Sequence, residues 1–298
     1  MVGLVVMFIS SPVLDAQLPR PLGPVPEQAR VAPFFDGWYA NPDGTISLSF
    51  GYSNLNRTTV EIPLGPNNLI TPKEYDGRQP TSFPVGQRPV TAGGGGANAG
   101  GATGGAGGAN NYARPRGVFT VTIPATYKGD VVWTLSYQGQ TWSVPGRAKS
   151  TAYQLGWPMA MGSVPPQLRF QQGGPAGRGP TGIQGPPLRV EVGAPLPLTV
   201  WLTDDAVHEK EPVAVKRQVV PSMNVTWIKH SGPAAPVVFS TPEEAVADPQ
   251  GRATTTATFS EPGEYVIRAR GDAHGNVDSS DADQCCWTNG YWKILVTR

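Results

Sequence analysis

Apolar and polar residues alternate along this chain in short bursts of five to nine, broken by Gly and Pro turns. Ile46, Leu48, Phe50 and Tyr52 fall on one face of such a run, and Ser47 and Ser49 on the other. Asn41-Pro42-Asp43-Gly44 in front of it is a strong turn signal, which predicts that Trp38 and Ile46 lie on paired strands. Thr58–Leu64 reads as another strand, ended by Gly65-Pro66, and 118–123 alternates again. Residues 131–137 are predicted to pair with 140–144 through Gln138-Gly139. Together these strands have side chains enough to close a small sandwich.

A second β-rich block starts at Leu188 and continues through 196–202, 225–230, 237–239 and the C-terminal stretch 252–297. In that stretch, 253–259 and 264–270 alternate around Ser260-Glu261-Pro262-Gly263, which predicts an antiparallel hairpin, with 287–297 as the last strand. The best helix signal, Pro242–Val246 behind Thr241 as N-cap, amounts to one turn. The pattern therefore predicts an all-β chain of two antiparallel sandwiches in tandem, at 33–147 and 188–298.

The segments between are distinct. Residues 17–32 are Pro-rich and extended, and 92–111 is nearly pure Gly, Ala and Asn, a disordered surface loop with nothing to bury. Residues 148–187 read as a Gly/Pro-rich linker. Its Gly174–Pro187 stretch mimics a collagen repeat, but the glycine period slips at Arg178 and the run is short, so turns and extended backbone are expected.

Charged residues make up only 15% of the chain and net charge is +1, which removes the electrostatic footprint of a nucleic-acid binder. The apolar run Val2–Ile9 is too short to span a bilayer; followed by Ser10-Ser11-Pro12 and Leu14-Asp15-Ala16, it reads as a signal peptide over residues 1–16. The expectation is an exported protein, secreted, periplasmic or at the cell surface, without membrane insertion.

Residues Val225-Thr-Trp-Ile-Lys-His-Ser-Gly-Pro233, Phe239 and Ala253-Thr-Thr-Thr-Ala-Thr-Phe-Ser-Glu-Pro-Gly-Glu-Tyr-Val-Ile-Arg270 resemble the PKD-like branch of Ig-like extracellular domains. The resemblance covers roughly 190–297 and implies an Ig-like sandwich with Trp227 in the core and Tyr265 near a strand corner. The tryptophan–aspartate–glycine–aspartate signature of other PKD domains is absent. In the first block, Phe50-Gly-Tyr-Ser-Asn54, Ile62–Asn68 and Gly77–Phe83 resemble segments of exported bacterial β-proteins without an assigned role. Ig-like modules serve adhesion, carbohydrate binding and scaffolding alike, so the resemblance implies a fold and not an activity.

Candidate chemistry gathers at one corner, Cys285–Tyr291, which holds both cysteines. An intramolecular disulfide between Cys285 and Cys286 would be vicinal; free thiols and a metal site are the alternatives left open. Alternation puts Trp292, Ile294 and Val296 together as core. Trp287 and Tyr291, with Asn289 beside them, become the candidate ligand-binding residues, a stacking surface for a sugar or peptide. His208, His230 and His274 are widely spaced and make no zinc pattern, so His230 is expected to be structural. Asp272, Asp278, Asp281 and Asp283 crowd one loop, but lack the rhythm and closing glutamate of a calcium loop. Asp36, Glu61 and Asp76 are carboxylates that nothing in the sequence pairs, and no nucleophile elbow or phosphate-binding loop is present. No catalytic residue, metal site or cofactor is assigned. The sequence points to an exported, non-enzymatic β-sandwich protein acting in interaction, adhesion or structural assembly with a protein or glycan partner. The alternative is a carbohydrate-binding module using exposed aromatics near the cysteines, and an extracytoplasmic hydrolase comes third.

Overall fold

A computed structural model describes residues 30–85, 115–148, 150–155, 164–205, 223–273 and 286–298. Among these residues the first block holds eight strands: β1 (Val31–Ala40), β2 (Ile46–Asn54), β3 (Val60–Glu61), β4 (Asn68–Thr71), β5 (Ser82–Phe83), β6 (Phe119–Ile123), β7 (Val131–Tyr137) and β8 (Gln140–Gly146). They form antiparallel sheets β1-β2-β6 and β4-β7-β8, with β3-β5 as a two-stranded ribbon. Trp38 sits opposite Leu48 and Ala40 opposite Ile46, so the turn at 41–44 makes the hairpin its sequence predicted. Gln138 and Gly139, both at positive φ, close β7 onto β8. The core is aromatic: Phe50 stacks on Phe119, and Phe119 meets Trp133 edge-on at 4.9 Å. The Trp133 indole N–H donates to Asn68 Oδ1, while Asn68 Nδ2 donates to the carbonyls of Ile62 and Pro80, so the buried amide is satisfied.

The second block holds β9 (Gln167–Arg169), β10 (Ile183–Gln184), β11 (Leu188–Glu191), β12 (Leu196–Thr203), β13 (Asn224–Ser231), β14 (Val237–Phe239), β15 (Glu243–Ala245), β16 (Arg252–Phe259), β17 (Gly263–Asp272) and β18 (Trp287–Thr297). One sheet runs β14-β16-β12-β9; the other runs β10-β18-β17-β13-β15, with β11 also on β18. The first strand of the sandwich is split between the sheets, because β9 pairs antiparallel with β12 while β10 and β11 run parallel to β18. That arrangement is Ig-like. So are two details: Trp227 on β13 is buried and stacks on Trp292, and the Tyr265 hydroxyl donates to the carbonyl of Glu261, pinning the corner before β17. The chain is thus all-β, with two antiparallel sandwiches in tandem.

Three expectations change. Runs 253–259 and 264–270 are not a hairpin: β16 pairs with β12 and β14, and β17 with β13 and β18. They are opposite walls, Ala257 and Phe259 filling the core from one side and Tyr265 and Ile267 from the other. Pro242–Val246 is no helical turn, because pairing with the edge of β13 outweighs one turn's weak helix propensity. The stretch given to the linker supplies β9 and β10, because Leu168, Phe170 and Ile183 have apolar side chains to bury in the second core. The signal peptide, the Pro-rich segment 17–29 and the loop 92–111 lie outside the described residues. No helix among the described residues is long and apolar enough to cross a membrane.

Candidate functional site at the junction of the two sandwiches

Period-2 geometry decides which side chains of β17 and β18 leave the core. Tyr265, Ile267, Ala269, Trp292, Ile294 and Val296 point inward. The alternate set, Arg268, Arg270, Asp272, Trp287, Asn289 and Tyr291, therefore points out, yet these residues are buried, at most 8% exposed. What covers them is the other sandwich. Arg270 Nη1 donates to the carbonyl of Arg116 at 2.7 Å, and Asn289 Nδ2 to those of Gly117 at 2.8 Å and Pro180 at 2.9 Å. Arg268 Nη1 donates to the carbonyl of Val118, as does the Tyr291 hydroxyl at 3.3 Å. The Gly117 N–H in turn donates to Asp36 of β1, which fixes the segment from its own side.

The electrostatics follow from this burial. Arg270 and Asp272 form a fully buried ion pair, with the Arg270 guanidinium 4.9 Å from the Trp287 ring. Desolvation lowers the pKa of Arg268, and Arg270 nearby adds to it. Burial pushes the Tyr291 hydroxyl up to about 12. His230 stands edge-on to Tyr291, its Nε2 3.1 Å from the carbonyl of Arg78. Desolvation, then the Arg268 charge, depress its pKa to about 3, which leaves a neutral imidazole in a structural role.

A second seam runs through residues 179–182. Thr181 Oγ1 meets the hydroxyls of Tyr39, Ser47 and Thr120 in the first sandwich, and the Thr181 N–H donates to Tyr39. On the other side Gly179 N–H donates to Thr288 Oγ1. Gly182 lies so close to β18 that a Cβ there would stand 1.7 Å from the Asn289 carbonyl oxygen.

The three predicted ligand residues are thus brought together, but under cover. Trp287, Asn289 and Tyr291 offer no exposed stacking face, because the segment 116–118 lies on them. An exposed aromatic platform next to the cysteines is therefore corrected to an interdomain contact. Cys286 is buried, its carbonyl accepts from Ala273 N–H, and its sulfur is not free. Cys285 lies outside the described residues, as do His208, His274, Asp278, Asp281 and Asp283. Asp76 accepts hydrogen bonds from the Ile70 N–H and Gln79, a local structural use. Glu61 pairs with Lys229 across the junction at 3.1 Å.

Sequence reasoning passed over Arg268 and Arg270. Two arginines two residues apart in an alternating strand of a sparsely charged chain are the signal that would have found them. They also floor a cleft of about 480 Å³ between the sandwiches, walled by Tyr52 and Pro84 on one side and Trp227 and Phe239 on the other.

No family model matches the chain, and no curated protein matches it. Among solved structures it is similar to the D0-D1 domain of Intimin, at 12% identity and a TM-score of 0.25, over 89% of this chain and 97% of that one. It is also similar to domains 4 and 5 of the S-layer protein SbsC (12%, TM-score 0.23, 57% of this chain and 66% of that one). The Yersinia pseudotuberculosis adhesin InvE is a third (12%, TM-score 0.24), of which the chain spans 58% while 89% of its own length is covered. At these identities and TM-scores no role passes from those proteins to this chain.

Proposed function

We propose that this is an exported, non-enzymatic protein acting in interaction, adhesion or structural assembly outside the cytoplasm, with its two sandwiches docked as one rigid unit. The observation that carries the reading is the occupied outer face of β17 and β18. Arg268 Nη1, Arg270 Nη1, Asn289 Nδ2 and the Tyr291 hydroxyl each donate to the backbone of the neighbouring sandwich. A desolvated and hydrogen-bonded face fixes the angle between modules. The partner in this reading is a protein or glycan, and the surface that meets it lies away from the junction. We further propose that Cys285 and Cys286 form a vicinal disulfide that shapes the entry into β18.

Scanning calorimetry of the whole protein tests the rigid unit. One transition, with calorimetric and van't Hoff enthalpies in agreement, is expected; two resolved transitions would overturn it. A panel of ester, peptide and glycoside substrates tests the non-enzymatic reading, and turnover that survives repurification would sink it.

A further inference from the structure

We propose that the cleft between the sandwiches binds a small zwitterion with an apolar side chain, of the amino-acid class, its carboxylate on Arg268 and its ammonium on Glu61. This is independent of the architectural reading, since a rigid junction exists with or without a ligand in its cleft.

A cleft of about 480 Å³ suits a small molecule, and its walls at Tyr52, Pro84, Trp227 and Phe239 suit an apolar body. Its polar atoms are unusual. Buried polar atoms in native proteins are nearly always paired, yet four on residues lining this one cleft have no partner: Arg268 Nε, Glu61 Oε2, Thr226 Oγ1 and Trp227 Nε1. They are a cationic donor, an anionic acceptor, a hydroxyl and an indole N–H. Arg268 bonds to main-chain carbonyls and makes no ion pair among the described residues, while Asp272 is held by Arg270 and one oxygen of Glu61 by Lys229. A buried guanidinium without a counter-charge is costly, and a ligand carboxylate supplies one. Glu61 Oε2 keeps acceptor capacity for an ammonium group. Both residues line the cleft, and both charges act on Tyr52 in its wall.

Isothermal titration with L-phenylalanine, phenethylamine and 3-phenylpropionate tests this, since the last two each lack one charged group. L-Phenylalanine is expected to bind about tenfold or more tighter than either. Arg268→Gln should reduce L-phenylalanine to the level of phenethylamine, and Glu61→Gln to that of 3-phenylpropionate. Ala234→Trp, at the exposed rim of the cleft, should abolish binding with the melting temperature kept, and it tests the site even where Arg268→Gln fails to fold. Equal affinity for the three compounds, no heat from any of them, or unchanged binding by Ala234→Trp would each overturn the proposal.

Discussion

The indole of Trp287 lies against the α-carbon of Gly117, so closely that a Cβ on Gly117 would stand 1.8 Å from Nε1 and 2.0 Å from Cε2. Gly117 also sits at φ +55°, in the left-handed region. Glycine is therefore required twice at one position, once by backbone conformation and once by the neighbour. Gly117→Ala combines about 1–2 kcal/mol of conformational cost with an overpacking cost of about 1–3 kcal/mol. Urea unfolding should show a loss within that combined range, and amide exchange should rise in β18 before it rises in β2. A variant as stable as wild type would mean that the two surfaces do not touch.

Arg268 and Asn289 face the same stretch of backbone, but removing them should have unequal effects. The Val118 carbonyl accepts from both Arg268 and Tyr291, so it keeps a donor in Arg268→Met while a desolvated charge is relieved. Asn289→Leu leaves the Pro180 carbonyl without that donor and weakens the hold on Gly117, a loss of about 1–3 kcal/mol. Denaturant midpoints should place Arg268→Met close to wild type and Asn289→Leu well below it.

How much of this was legible beforehand differs by link. The facing of β18 was readable, since alternation put Trp292, Ile294 and Val296 inside and Trp287 and Tyr291 outside. What covers the outer face was not, because Arg116–Val118 lies some 170 residues upstream in a different sandwich. Alternation also cannot separate a hairpin from a corner between sheets, which is why β16 and β17 read as neighbours. Tyr265, two residues after Gly263, was the clue to the corner, and its hydroxyl bond to Glu261 bears that out. Trp227 in the core was legible because a tryptophan strand running into Ser-Gly-Pro occupies a known place in Ig-like domains.

His230 makes the junction sensitive to acid. Its folded pKa is about 3 against 6.5 unfolded, so between those values the unfolded chain holds a proton that the folded one refuses. The stability this group contributes is fully present above 6.5 and falls as pH drops toward 3, at up to about 1.4 kcal/mol per pH unit. His230→Gln, which can still donate to the Arg78 carbonyl, should flatten that slope by up to one proton. Matching slopes in the two proteins would place His230 in water.

Alkali acts through Tyr291. Its folded pKa is raised to about 12 from 10.0, so above pH 10 the unfolded chain loses a proton that the folded one keeps. Stability should fall as pH rises from 10 to 12, again by up to about 1.4 kcal/mol per pH unit. Tyr291→Phe should unfold later in an alkaline titration followed by near-UV circular dichroism, and an unchanged midpoint would exclude this linkage.

The proposed Cys285–Cys286 bond has a direct mass-spectrometric test. Unreduced, denatured protein should take up no alkylating reagent and remain a monomer without reductant, while reduced protein should take up two equivalents. Alkylation of both sulfurs before reduction would rule the bond out.

The donors that meet segment 116–118 all end on main-chain oxygens, those of Arg116, Gly117 and Val118. Such a contact prescribes a path for the chain rather than a wording. The side chain at position 116 is free to vary without losing any of these bonds, whereas the absence of one at 117 is obligatory. A foreign module offering the same backbone path, with a glycine in the left-handed region at its centre, would satisfy the same face, which makes β17 and β18 a transferable socket for joining β domains at a set angle.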